Sequence, residues 1–296
     1  MAKTDGQFAY LNGDFLPLEK CRISPQDRGF LFGDGVYEVI PVFNGQPFEL
    51  DAHLDRLAQS LAQSAILNPL TNEQWQAMLA KLISYHPWSH QVLYLQVTRG
   101  TQMRRDHLPD EDLSPTLYAY ASELKPVNPD WLTDGLSAIT LPDDRWQHCD
   151  IKAITLLPNI RLKMQARDQG ADDAILYDGD DRITEGTASN VFALFGQVLK
   201  TPPLSNHLLA GITRTVVMRL ARDCDLSVCE TPLTRQDLKE ADEIWLTSST
   251  KNALPITQLD HQPVGSGQPG PAWHALNARF ETLKRTWPET SANPTD

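Results

Sequence analysis

The chain has 296 residues, 41% hydrophobic and 22% charged, which is enough for two packed cores at the ordinary domain size of roughly 100 to 200 residues. Its formal net charge of −12, with no Lys/Arg-rich run, repels nucleic-acid phosphates and anionic lipid heads, so neither is expected as a partner. There is no apolar signal core behind Met1 and no long uninterrupted apolar run, which points to the cytoplasm rather than a membrane.

In chain order, Asn12-Gly13 separates FAYL from DFLP, and Asn44-Gly45 separates VYEVIPVF from QPFEL. Asn-Gly supplies the two positive-φ positions of a tight hairpin turn, so both stretches predict antiparallel pairs. Leu54, Leu57, Leu61 and Ala65 then follow helical spacing, with Asp51 the expected cap, and a second helix fits 72–86. Strands at 91–98 and 115–121 complete a small α+β domain over 1–121. The proline-bearing SELKPVNPD, 122–130, predicts a linker. A larger domain over 131–287 alternates strands near 136–141, 173–177, 189–195, 226–230 and 243–247 with helices near 158–169, 212–223 and 234–240, and ends on a helix at 271–286. Closure of such a strand-rich unit into a small barrel removes exposed edges. Residues 288–296 are expected to form a loose tail. Cys21, Cys149, Cys224 and Cys229 are too few for a disulfide framework and lack zinc-ligand spacing, so reduced, mostly buried thiols and no metal site are expected.

Several residues carry candidate chemistry. Gly211-Ile212-Thr213-Arg214 opens an apolar-periodic helix, where free amides, a glycine and a hydroxyl suit a phosphate group, although Thr213 also reads as a plain helix cap. Thr247-Ser248-Ser249-Thr250 ends an apolar strand and offers further hydroxyls, or a simple hydroxyl-bonded turn. Arg56, on the first helix, has the position of a solvated salt bridge. Glu185, in ITEGTASN, reads as a carboxylate in a tight, partly buried turn that needs a cationic or N–H partner. Lys152, in CDIKAI, has apolar neighbours; burial there disfavours the charged amine, as imine formation requires, whereas most lysines extend to the surface.

Together with DRGFLFGDGVYE (27–38), HLDRL, YLQVTRG, DDRWQHCDIK, TEGTASNVF, GITR and LTSST, these pieces occur in the order found in the class IV pyridoxal-phosphate transaminases, and the chain resembles that family over nearly its whole length. Within it, VTRG followed by an Arg-x-His, then CDIK and EGTASN, resemble the D-amino-acid aminotransferases. The resemblance implies a two-domain fold: an N-terminal α/β sandwich-like domain and a C-terminal pseudo-barrel domain. It implies pyridoxal 5'-phosphate as cofactor, Lys152 as the catalytic residue that holds it and moves the substrate proton, and Glu185 facing the pyridine nitrogen. Arg56, Ile212, Thr213, Ser249 and Thr250 would hold the phosphate and Leu209 would pack near the ring. Tyr37, Arg105 and His107 would bind the substrate carboxylate, the last two on a loop serving the neighbouring subunit of a homodimer. The implied substrates are small molecules, an amino acid and a 2-oxo acid.

This sequence departs from the pattern in places. Counted from Gly100 without a gap, the trap would be Arg104 and Asp106, and an anion there repels a carboxylate; the register with Arg105 and His107 keeps both donors. Ala188 stands where relatives often carry serine, and Pro41 where they often carry lysine. The alternatives of the same fold are a branched-chain L-amino-acid transaminase, an (R)-amine transaminase and an aminodeoxychorismate lyase. A fourth is a phosphate-ligand-binding protein that keeps the fold without the reaction.

Overall fold

In the computed structural model, which describes residues 7–288, both Asn-Gly signals become hairpin turns. Asn12 and Gly13 have φ of 49° and 109°, and Asn44 and Gly45 have 53° and 75°, the left-handed backbone that this dipeptide tolerates. The first turn joins β1 (Phe8–Leu11) to β2 (Asp14–Pro17). After a short α1 (Arg28–Phe32), the second joins β3 (Gly35–Phe43) to β4 (Gln46–Pro47). Helices α2 (Leu50–Gln63) and α3 (Asn72–Ser84) follow, then β5 (Gln91–Thr98) and β6 (Thr116–Glu123). The six strands form one antiparallel sheet in the order β2-β1-β6-β5-β3-β4.

Alternation along the strands decides which face is covered. Leu93, Leu95 and Val97 of β5 and Val36, Ile40 and Val42 of β3 pack against Leu54, Leu57 and Leu61 of α2 and Trp75, Leu79 and Leu82 of α3. Each such leucine contributes roughly 1.5 to 3 kcal/mol by leaving water. The cap of α2 differs from expectation: Asp51 lies inside the first turn, and Glu49, in left-handed backbone at φ 51°, takes the N-cap position. At α3 the reciprocal Thr71–Gln74 capping box satisfies two amides.

The described residues divide into two units, the first comprising those up to 125, 151–155 and those from 285, and the second 126–150 and 156–284. The second begins with α4 (Pro129–Thr133), so the expected linker is shorter than predicted, being trimmed by β6 at one end and α4 at the other. It continues through β7 (Leu136–Pro142), α5 (Leu157–Asp168), β8 (Asp173–Tyr177), β9 (Ile183–Gly186), β10 (Asn190–Phe195) and β11 (Val198–Thr201). Then come α6 (Ile212–Arg222), β12 (Ser227–Glu230), α7 (Arg235–Glu240), β13 (Glu243–Ser248), β14 (Asn252–Leu259), β15 (Gln262–Pro263) and α8 (Pro271–Thr286). The main path of its nine-stranded sheet is β12-β11-β10-β13-β14-β7-β8-β9. It curls so that β9 lies beside β10, with Gly186 N donating to Ser189 O at 2.6 Å. This curled sheet is the expected barrel-like architecture, with β12 at one end of its path.

The eight-residue β14 went unrecognised in the sequence because Pro255 interrupts NALPITQL. Proline is tolerated there because the ladder to β7 begins only at Ile256. The expected C-terminal tail lies outside the described residues apart from Pro288. Of the cysteines only Cys149 is buried; Cys229 is exposed and the other two are intermediate, so the expectation of mostly buried thiols fails, while all four are free. No described helix is long and apolar enough to cross a membrane.

Candidate active site

In the first unit, residues 151–155 lie along the start of β3. Tyr37 N donates to Lys152 O and Ile154 N to Gly35 O, each at 3.0 Å, and Val36 bridges Ala153. Lys152 N donates to Ser60 Oγ of α2 at 3.2 Å. This backbone pairing sets the Lys152 ammonium over the Tyr37 ring, 4.3 Å from its centroid. Lys152 is half-buried, not enclosed as its apolar neighbours predicted. Among the described residues no carboxylate pairs with its Nζ. A cation over a ring is held by only about 0.5 to 2 kcal/mol, which leaves the amine available for exchange.

Arg56 is not the solvated surface residue its helix position suggested. It is buried, and its Nε and Nη2 donate to the two oxygens of Glu38 at 2.7 and 2.8 Å. His53 Nδ1 lies 2.8 Å from Glu38 Oε2. Glu38 itself is fully buried. Burial alone would raise its pKa, but the Arg56 charge and the Arg56 and His53 donors hold the acid far below the usual glutamate range. Burial, only partly offset by Glu38, pulls the His53 imidazole down. Glu38 and His53 escaped the sequence reading because nothing in their spacing links them to Arg56.

Arg105 and His107 sit on an exposed loop and meet the same ring. The Arg105 guanidinium lies 4.9 Å and the His107 ring 5.4 Å from the Phe32 centroid. The Asp106 carboxylate turns back on its own chain and accepts Leu108 N at 3.1 Å. The shared ring thus groups Arg105 with His107 and not Arg104 with Asp106.

In the second unit Glu185 lies in β9, a strand and not the tight turn expected, and is buried. Both partner types foreseen for it are present. Arg145 Nη1 donates to Oε1, while Leu209 N donates to Oε2 at 3.0 Å and Asn190 Nδ2 approaches Oε2 at 3.5 Å. Arg145 is shared: its Nε and Nη2 also bind Asp143 at 2.8 and 2.7 Å, and Asp143 accepts the Thr184 hydroxyl at 2.7 Å. Burial raises the Glu185 pKa above the ordinary range even with Arg145 beside it, whereas the same guanidinium overcomes burial at Asp143 and pulls that acid down. Arg145 and Asp143 were missed, although Asp-x-Arg in DDRWQ is a visible charge pair.

Asn190 joins this carboxylate to the remaining candidates. Its amide donates to Leu209 O at 2.8 Å, and it pairs with Thr247 of β13, two residues before Ser249. Gly211 crowds it so closely that an added Cβ would fall 2.0 Å from Asn190 Oδ1. Gly211 is also the N-cap of α6 and no side chain caps that helix. Thr213 is buried within the first turn and is therefore not the cap that was its plainer reading. Ile212, Thr213, Ser249 and Thr250 thus lie on segments that meet around Asn190. The buried hydroxyls of Thr247 and Ser189 lack a hydrogen-bond partner, a cost of about 1 to 3 kcal/mol each that an acceptor would relieve. Uncapped amides, orphan hydroxyls and a glycine that excludes any side chain fit an anionic phosphate, and a buried acid with raised proton affinity fits a protonated ring nitrogen.

The family profile for amino-transferase class IV matches residues 35–259. A D-alanine aminotransferase of Listeria innocua serovar 6a is 42% identical over 272 residues, covering 91% of this chain and 93% of its own. One from Bacillus licheniformis is 39% identical over 260 residues, covering 88% and 91%. Among solved structures, a branched-chain amino acid aminotransferase of Escherichia coli superposes with a TM-score of 0.89 at 21% identity, over 97% of this chain and 98% of that one. A second branched-chain amino acid aminotransferase, solved with pyridoxamine 5'-phosphate, gives 0.88 at 23% identity, covering 96% of both chains. A third, from the thermophilic archaeon Thermoproteus uzoniensis with norvaline, gives 0.84 at 23%, covering 96% of this chain and 97% of that one. At such identities these structures establish the fold alone.

Proposed function

The chain belongs to the class IV aminotransferases, pyridoxal-phosphate enzymes, and from that premise we propose that it moves the amino group of a D-amino acid such as D-alanine to a 2-oxo acid. The D assignment is supported by relatives named D-alanine aminotransferases at 34% to 42% identity over about nine-tenths of the chain. It is favoured over the branched-chain, (R)-amine and lyase alternatives for that reason.

The observation that carries the reading is Lys152, an amine posed by backbone pairing over Tyr37 with no acid among the described residues to hold it. When bound, pyridoxal 5'-phosphate supplies a carbonyl carbon for the amino group and an aromatic ring that spreads the negative charge left at the α-carbon. In this reading Lys152 holds the cofactor and, once displaced, carries the proton to and from the substrate's α-carbon. Glu185 accepts the ring N–H. Arg56, Ile212, Thr213, Ser249 and Thr250 bind the phosphate, and Leu209 packs on the ring. Tyr37, Arg105 and His107 take the substrate carboxylate, where a guanidinium fork matches two oxygens. That these residues serve one cofactor rests on family membership. The same reading makes the enzyme a cytoplasmic homodimer, to which four free thiols are suited.

The test is the half-reaction. Holoenzyme mixed with D-alanine should lose the absorbance of the aldehyde form of the cofactor and yield pyruvate, and L-leucine should not do this. If only L-leucine converts the cofactor, the D assignment is wrong. Borohydride reduction followed by peptide mass spectrometry should place the adduct on Lys152.

A further inference from the structure

The loop that carries Arg105 and His107 has little packing of its own: Met103, Arg104, Arg105, Asp106, His107 and Leu108 are all exposed. Its shape comes from beneath. Arg28, at the start of α1 and 4% exposed, directs one guanidinium at the loop's backbone. Nη1 donates to Asp106 O at 2.7 Å, Nη2 donates to His107 O at 2.8 Å, and Nη1 also reaches Gln102 Oε1 at 3.1 Å. Two consecutive carbonyls on one planar fork fix the peptide between Asp106 and His107. Gln102, itself buried, completes the staple by accepting Asp110 N at 3.2 Å and reaching Leu108 O at 3.3 Å.

The fork is itself held. Arg28 Nε binds Asp34 Oδ2 at 2.8 Å. Arg99 clasps the same carboxylate from Nε and Nη2 at 2.8 and 2.9 Å, and is anchored in turn to Ser64 O and Ala65 O at 2.8 and 2.6 Å. The Phe32 ring, four residues along α1, then receives the guanidinia of both Arg28 and Arg105, each 4.9 Å from its centroid. One short helix thereby sets both the backbone of the loop and the position of its charged side chains.

We propose that Arg28 is a positioning residue for substrate-carboxylate recognition, fixing the 102–108 loop so that Arg105 and His107 present their donors together. The inference rests on the reading above that these two bind the carboxylate. A guanidinium is required because a lysine ammonium is a single point charge and cannot bond Asp34 and two successive carbonyls in one plane.

Half-reactions of the full-length holoenzyme with D-alanine and with D-alaninol, which has the same skeleton without a carboxylate, test it. Arg28→Gln should weaken D-alanine binding by about tenfold or more, the loss of a charge-assisted contact, and leave the D-alaninol rate and the cofactor spectrum unchanged. Arg28→Lys, which keeps the charge against Asp34, should recover only part of the loss, and it carries the same comparison if the glutamine variant does not fold. Once Arg105→Ala is in place, adding Arg28→Gln should cost little more, which a merely structural role would not produce. Equal losses for both amines, an unchanged D-alanine constant, or full additivity would each overturn the proposal. If Arg105→Ala itself spares D-alanine, the carboxylate reading falls; if it selectively harms D-alanine while Arg28→Gln does not, only the positioning role falls.

Discussion

Each unit buries a glutamate against an arginine, and the two pairs are built to different ends. Glu38 has donors on both oxygens: Arg56 bonds each of them and His53 adds a third, so its proton affinity falls far below the usual range. Glu185 has to share. Arg145 gives most of its fork to Asp143 and one N–H to Glu185, and burial keeps that acid's pKa raised. A carboxylate saturated by its own arginine orients that arginine; one left under-compensated retains affinity for a further cationic donor. The first arrangement suits a phosphate-binding guanidinium that must not move, and the second suits an acid that faces a ring nitrogen.

This contrast can be broken most easily at Glu38. Glu38→Gln removes the buried carboxylate that Arg56 bonds on both oxygens, and unfolding in denaturant should show a loss of about 3 to 5 kcal/mol. Glu185→Gln still leaves Arg145 bound to Asp143, so its stability cost should be nearer 1 kcal/mol. Its turnover should nevertheless fall on the order of a hundredfold, the scale of losing an electrostatic partner in an active site. Equal stability costs for the two variants would end the distinction.

The pH dependence sharpens it further, with opposite signs. Glu38 has a depressed folded pKa, so its stabilisation is present above the unfolded value of about 4.3 and is lost as acid titrates the folded state. Glu185 has a raised folded pKa, so its contribution is present below about 4.3 and is lost as pH rises through the folded value. Below about pH 4.3 the stability gap between wild type and Glu38→Gln should therefore shrink as pH falls and be level above it, while the gap to Glu185→Gln narrows as pH rises above about 4.3. Unfolding midpoints at three pH values are enough to read the two slopes.

Local patterns carried most of the fold into the sequence. Asn-Gly turns, the leucine period of α2 and the polar break near 124–128 all rest on neighbours in the chain, and they reappear in the structure within a few residues. Features decided by distant partners were not legible, β14 among them, since it depends on where the β7 ladder begins; the N-cap of α2 was missed for a local reason, the left-handed backbone of Glu49, which its residue type does not signal. The site divides in the same way. Lys152, Glu185 and the Gly211–Thr213 turn stand in recognisable motifs, whereas Glu38, His53, Arg145 and Asn190 matter through contacts 5 to 40 residues away along the chain. No single-window signal encodes such partners.

Residues 151–155 fold with a unit whose main stretch ends at 125, and the chain on both sides of them belongs to the other unit. The Lys152 amine is thus out of sequence with the sheet that supports it. A piece ending at residue 125 keeps Tyr37, Arg56 and the Arg105 loop but omits Lys152, so no single cleavage point separates the two units with each complete. Splitting or permuting the gene must therefore carry a five-residue insert along with the N-terminal sheet.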